Sequence, residues 1–275
     1  MSKVPDPAGE PPAAAAPAAA APSPLVVVTD RALAAAAGHT LTAVVAAALA
    51  GGAGGVLLRE KDLPAGERRR VADDLRDLTA AHHAELWVAS DLGLAAAVGA
   101  DGVHLATADP WPSRDFPRGI GRSGDQIRVE SREDVGAPDA RDRNGRPATR
   151  SVTRTGRSSP ARRRPGLRVG RSCHTLAELA AARCEGADRV TYSPVFATDS
   201  KPGYGPALGL DGLAAGCRAV PDLPVLALGG VGPERARACV AAGAAGVAIM
   251  GAVMGADDPA TVVRSIVHEL EQVTA

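Results

Sequence analysis

A chain of 275 residues, 45% hydrophobic with 31 glycines, is long enough to enclose one large core, and its 31 basic residues balance 31 acidic ones. That balance leaves no global field to draw nucleic acid or a membrane surface, and no apolar run reaches the roughly 20 residues that span a bilayer. Cys173, Cys184, Cys217 and Cys239 form no CxxC pair and no zinc spacing, so they predict buried thiols in a reducing compartment and a cytoplasmic protein. Residues 1–23 are rich in alanine and proline. Asp6, Glu10 and the prolines deny them the parts of an export signal, and they read as a disordered tail.

From Leu25 the chain alternates short apolar runs with helical patterns. Residues 25–28 predict a strand ending in Thr29-Asp30-Arg31, and 41–50 an alanine-rich helix. Residues 55–58 form a second strand ending in Arg59-Glu60-Lys61, and 66–82 place Val71, Leu75 and Leu78 on one helical face. A third strand over 85–89 leads to Ser90-Asp91 and a helix over 94–98. The fourth, 102–105, ends near Asp109.

Between 112 and 165 the rhythm stops. The segment carries 14 arginines from Arg114 to Arg164, many Ser, Gly and Pro, and no apolar period, so it predicts a disordered insertion after the fourth strand. A solvated spacer is the plain reading; the sharper one has Ser151, Ser158, Ser159 and Arg162-Arg163-Arg164 accept phosphate or bind a polyanion. Replacing 113–165 with a short Gly-Ser linker is expected to leave thermal stability and turnover nearly unchanged. A collapse of either would make the segment a lid over the site.

The alternation resumes with a strand over 167–170 and a helix over 176–184. In the sixth strand, from Arg189, Val190, Thr191, Val195 and Phe196 suit a pleat and Pro194 stops the ladder. The loop beyond presents Thr198, Ser200 and Lys201, two hydroxyls and an ammonium suited to phosphate. Only Lys3, Lys61 and Lys201 among the 31 basic residues are lysine, and the last two follow strands, which suggests sites that need a compact charge. A helix over 213–219, a strand over 225–228 ending in Gly229-Gly230, a helix from Pro233, a strand over 246–250 and a helix over 259–272 complete the pattern. Eight alternations predict an α/β protein, a (β/α)8 TIM barrel occupying 24–275 as one domain, with an open doubly wound sheet as the alternative.

In such a barrel the residues past the strand C-termini share one mouth. Here they are Arg31, Arg59, Lys61, Asp91, Asp109, Ser172, His174, Thr198, Ser200, Lys201 and Gly229-Gly230, a cationic set suited to small phosphorylated ligands. Asp91 and Asp109 read as carboxylates without local partners, and so as oxygen ligands for a Mg2+ shared with a diphosphate. Gly229-Gly230 and Gly251 precede helices whose N-terminal amides would cradle phosphate. His104, inside its strand, reads as structural.

These residues resemble the thiamine phosphate synthase and thiazole tautomerase family. The resemblance runs from Val27 to about Ala260 outside the insertion. It is carried by Thr29-Asp30-Arg31, Leu58-Arg59-Glu60-Lys61-Asp62, Gly99-Ala100-Asp101-Gly102-Val103-His104-Leu105, Gly170-Arg171-Ser172-Cys173-His174, the stretch from Ser193 to Lys201, and Leu228-Gly229-Gly230. It implies a (β/α)8 transferase that joins hydroxymethylpyrimidine diphosphate to thiazole phosphate and releases pyrophosphate. Arg59 and Lys61 would hold the diphosphate, Asp91 and Asp109 the Mg2+, and Thr198, Ser200 and Lys201 the leaving group. The amides of Gly229, Gly230 and Gly251 would receive the thiazole phosphate, and Ser172 and His174 would join Lys201 in catalysis.

The chain departs from the family pattern at several points. Leu57 stands at the family's Gln, Ser90 at its Asn if one residue is deleted, Ala106-Thr107 at its Gly-Gln and Gly251 at its Ser. Two alternatives therefore stand beside the synthase. One is a tautomerase-like paralogue moving a proton on thiazole phosphate, with His174 as base because Pro194 occupies the family's histidine position. The other is a non-catalytic barrel that binds a thiamine precursor while the insertion recruits a partner. The sequence leaves a homo-oligomer open.

Overall fold

The computed structural model describes residues 24–112, 166–198 and 206–274. Ser200, Lys201, the tail 1–23 and segment 113–165 lie outside the described residues. Eight strands run parallel in chain order: β1 (Leu25–Val28), β2 (Gly55–Leu58), β3 (Glu85–Ala89), β4 (Gly102–Leu105), β5 (Arg168–Cys173), β6 (Arg189–Tyr192), β7 (Val225–Leu228) and β8 (Gly246–Ile249). β8 pairs back onto β1, with Leu25 opposite Val247, so the sheet closes and the TIM-barrel expectation holds over the open sheet. No helix among the described residues is long and apolar enough to cross a membrane.

The helices around the barrel are α1 (Arg31–Ala36), α2 (Leu41–Ala50), α3 (Ala65–Ala81), α4 (Leu92–Ala97), α5 (Leu176–Glu185), α6 (Gly209–Ala219), α7 (Pro233–Ala241), α8 (Gly251–Met254) and α9 (Pro259–Thr274). Their ends carry local causes. Thr175 and Glu178 form a reciprocal capping box on α5, and Gly186, at φ 83°, ends that helix in the left-handed region. The sequence reading missed α1, an alanine-rich turn with little periodicity. It is started by Asp30, whose carboxylate accepts from the Ala32 and Leu33 amides. The reading also stopped β5 three residues early, because Arg171 and Ser172 break the apolar run.

Side chains alternate along each strand between the helices and the barrel interior. The inward set is divided. Val26, Val28, Leu57, Ala89, Leu226 and Ala248 make an apolar cluster with Trp87, whereas β4, β5 and β6 contribute His104, Ser172, Arg189 and Thr191. Glu85, Arg168 and Arg189 each open a strand, so they meet at the N-terminal end of the barrel. There Glu85 accepts from Arg168 at 2.5 Å, from Arg189 at 3.4 Å and from the Trp87 indole at 2.9 Å. The Arg189 guanidinium, 2% exposed, lies 3.4 Å from the Trp87 ring centroid. Its burial pulls its pKa down to about 9, against the opposing pull of Glu85.

Candidate active site

A cavity of about 340 Å3 opens at the C-terminal ends of β1, β2, β6, β7 and β8. Arg59, Thr198, Gly229, Gly230 and Gly251 all line it, so five of the expected binding residues converge there. The turn after β2 holds Arg59 in place: its amide donates to the Thr29 hydroxyl at 2.9 Å, and its carbonyl accepts from the Lys61 amide at 2.8 Å. The Lys61 ammonium is exposed, and its field reaches into the barrel, where it helps to lower the pKa of His104. Arg31 contributes less than its position suggested. Its guanidinium is bound to Asp62 at 2.7 Å and to Glu60 at 3.0 Å, which raises its pKa further and commits its charge.

The Gly229-Gly230 turn has a structural use besides any contact with ligand. Both residues have positive φ, 96° and 61°. A Cβ on Gly230 would sit 2.5 Å from the Ala197 carbonyl oxygen, and one on Gly229 would sit 2.8 Å from the Pro194 Cα. The β7 turn therefore packs directly on the β6 loop, tied by amides of Val195 and Phe196 that donate to Leu228 and Gly229 carbonyls. Arg235 extends the clasp. It donates to the Gly230 carbonyl at 2.7 Å while its guanidinium lies 4.7 Å from the Phe196 ring centroid. Sequence reasoning missed Arg235, and it missed Glu234, which lines the mouth from the first turn of α7. An acidic residue straight after a helix-starting proline was the available signal.

Asp91 and Asp109 are not without partners, and that expectation is corrected. Asp91 is the N-cap of α4: one oxygen accepts from the Leu94 amide at 2.8 Å, and the other pairs with Arg68 at 3.1 Å. Arg68, 11% exposed, also donates to the Ala89 carbonyl at the end of β3. Asp91 lines a separate hollow of about 360 Å3 with Leu63, Arg68, Arg69 and Leu94. Asp109 accepts from the Ala106 amide at 2.6 Å, and its other carboxylate oxygen takes no partner among the described residues. Arg171 braces this turn through the carbonyls of Asp109 and Thr107, both at 3.1 Å.

The described residues contain no cluster of three or more His, Cys, Asp or Glu able to hold a metal. The donor set fits a cation only as two acids at neighbouring strand ends. Among the described residues Asp109 offers an open oxygen and Asp91 is 37% exposed but held by Arg68, so phosphate oxygens and water would supply the rest of the shell.

Ser172 lies inside β5 rather than beyond it, half-buried, with its hydroxyl 3.2 Å from His104 Nε2. His174 does follow the strand. Its Nδ1–H donates to the Ser193 carbonyl at 2.7 Å, and its amide donates to Glu178 at 2.5 Å, so the capping box of α5 also fixes the histidine backbone.

The thiamine monophosphate synthase family model matches residues 25–117 and 157–253 of this chain. A putative thiamine-phosphate synthase of Geobacter sulfurreducens is 35% identical over 211 residues, covering 77% of this chain and 78% of that protein. The thiamine biosynthesis bifunctional protein ThiM/ThiE of Symbiobacterium thermophilum is 34% identical over 217 residues, which span 79% of this chain but 36% of that longer protein. Among solved structures, a thiamine phosphate pyrophosphorylase from Pyrococcus furiosus superposes with a TM-score of 0.66 at 27% identity, covering 91% of this chain and 96% of that one.

Proposed function

The chain belongs to the thiamine monophosphate synthase family, and from that premise we propose that it is a transferase joining hydroxymethylpyrimidine diphosphate to thiazole phosphate. The observation that carries the reading is the meeting of Arg59, Thr198, Gly229, Gly230 and Gly251 in one mouth cavity. In the reaction the bond from the pyrimidine methylene carbon to the diphosphate oxygen breaks, and its electron pair leaves with pyrophosphate. The thiazole nitrogen then gives its lone pair to that carbon, which makes the C–N bond and leaves the positive charge on the ring.

The barrier is separation of charge, so cations placed on the departing oxygens contribute the largest catalytic effect. Arg59 and Lys61 take the diphosphate from the β2 side; Thr198, Ser200 and Lys201 take it from the β6 loop. The amides of Gly229, Gly230 and Gly251 hold the thiazole phosphate, and the clasp between the β6 and β7 turns keeps the two substrates in register. His174, pinned by Ser193, orients that loop. Asp91 and Asp109 would hold a Mg2+, whose charge would neutralise the departing oxygens.

The test follows pyrophosphate release from the purified chain with both substrates and Mg2+. Release that depends on both substrates is expected. A folded protein that binds thiazole phosphate yet releases none would leave the tautomerase-like or purely binding alternatives.

A further inference from the structure

We propose that His104 is a positioning residue for this reaction: its Nε2–H holds the Ser172 hydroxyl oxygen, so that the Ser172 O–H points into the mouth as a fixed donor to the pyrimidine diphosphate. The inference rests on the synthase reading for the identity of the ligand.

His104 points inward from β4 and is 4% exposed. Its Nε2 lies 3.2 Å from Ser172 Oγ and 3.1 Å from Thr191 Oγ1, two hydroxyls that sit side by side because Ser172 pairs with Thr191 across β5 and β6. The other ring nitrogen is not matched in this way among the described residues. Nδ1 is buried without a hydrogen-bond partner, packed so closely on Gly170 that a Cβ there would come within 2.5 Å of it. The glycine is what admits the ring.

That asymmetry selects one tautomer. A proton on Nδ1 would be a buried donor with no acceptor, whereas a bare Nδ1 leaves only a lone pair unfilled and puts the proton where two oxygens wait. The ring also stays neutral. Burial, with the positive charges of Arg189 and Lys61, pulls its pKa down to about 3.

The chemistry of Ser172 follows. A histidine whose near nitrogen already carries the proton cannot take one from the serine, so the pair is not a nucleophile and its base. Since the Ser172 oxygen accepts from His104, its own hydrogen must be directed elsewhere. Thr191 is enclosed at 2% exposure, but Ser172 is half-buried and stands one residue from the C-terminal end of its strand. The acceptor it suits is a ring nitrogen or a phosphate oxygen of the pyrimidine substrate.

Nitrogen-15 NMR of histidine-labelled full-length protein reads the tautomer directly and independently of activity. Nε2 protonated, Nδ1 bare and no titration between about pH 5 and 9 is the expected result. An Nδ1–H tautomer or a ring that titrates in that range overturns the proposal whether or not the chain proves to be a synthase. Kinetics supply the second arm. His104→Phe, checked for folding by its denaturation midpoint, should lower kcat/KM for the pyrimidine diphosphate about tenfold and leave the KM for thiazole phosphate unchanged. Adding Ser172→Ala to His104→Phe should then cost little more, since the hydroxyl has already lost its direction. Full activity of His104→Phe, or two losses that simply add, would also overturn it. Absence of pyrophosphate release from the unmodified chain would instead remove the synthase reading and leave the NMR result standing.

Discussion

Replacing Lys201 with alanine is expected to slow pyrophosphate release about a hundredfold, close to 3 kcal/mol of transition-state stabilisation. Lys201 lies outside the described residues, and the expectation rests on its place in the sequence. It follows Thr198, which lines the mouth, and it is one of three lysines in a chain with 31 basic residues. The charge on the diphosphate oxygens grows as the bond to carbon breaks, and an ammonium beside them binds more strongly at that moment than in the ground state. The loss should therefore fall on the chemical step rather than on the affinity for thiazole phosphate. Lys201→Arg should also be impaired, because a planar guanidinium replaces a point charge poorly in a tight cage of oxygens. Single-turnover pyrophosphate release at saturating Mg2+ is the measurement. Unchanged rates in both variants would make Lys201 a solvated loop residue.

Glu85→Ala should be the most destabilising single change at the closed end of the barrel, about 3–5 kcal/mol. Arg189 donates to Glu85 and to no other side chain among the described residues, and its guanidinium is sealed against Trp87. Without the carboxylate, a buried cation keeps its desolvation cost and loses its compensation, and the Trp87 indole loses its acceptor as well. Arg168, 25% exposed, can turn to water, so Arg168→Gln should cost far less. Combining Glu85→Gln with Arg189→Met should recover much of the loss, since an apolar side chain needs no counter-charge in that position. Chemical denaturation at neutral pH would compare the four proteins. A Glu85→Ala midpoint equal to that of the unmodified chain would mean that the cluster contributes nothing to stability.

The barrel itself was legible. Four-residue apolar runs such as Leu25–Val28 and Gly55–Leu58 are buried on both faces, and parallel strands enclosed in that way need no alternation of polar and apolar residues. β5 was read short for the complementary reason. Gly170 and Ser172 face a polar interior, which demands no hydrophobic period. The convergence of Arg59, Thr198 and the glycines on one mouth followed from strand order alone, because every parallel strand delivers its C-terminal end to the same side.

Composition and local pattern by themselves determined the fold class, the order of the strands and which residues could stand at the mouth. These depend on neighbours in the chain and on the single direction that parallel strands impose. Only the tertiary structure decided how each charge and proton is spent. Arg31 is drawn to Glu60 and Asp62, Asp91 is held by Arg68 from 23 positions away, and His104 reaches Ser172 across 68. Glu85 meets Arg189 at a separation of 104. Such pairings depend on where barrel closure places side chains from different strands, and on how little water remains between them, and neither is encoded in the spacing of residues along the chain.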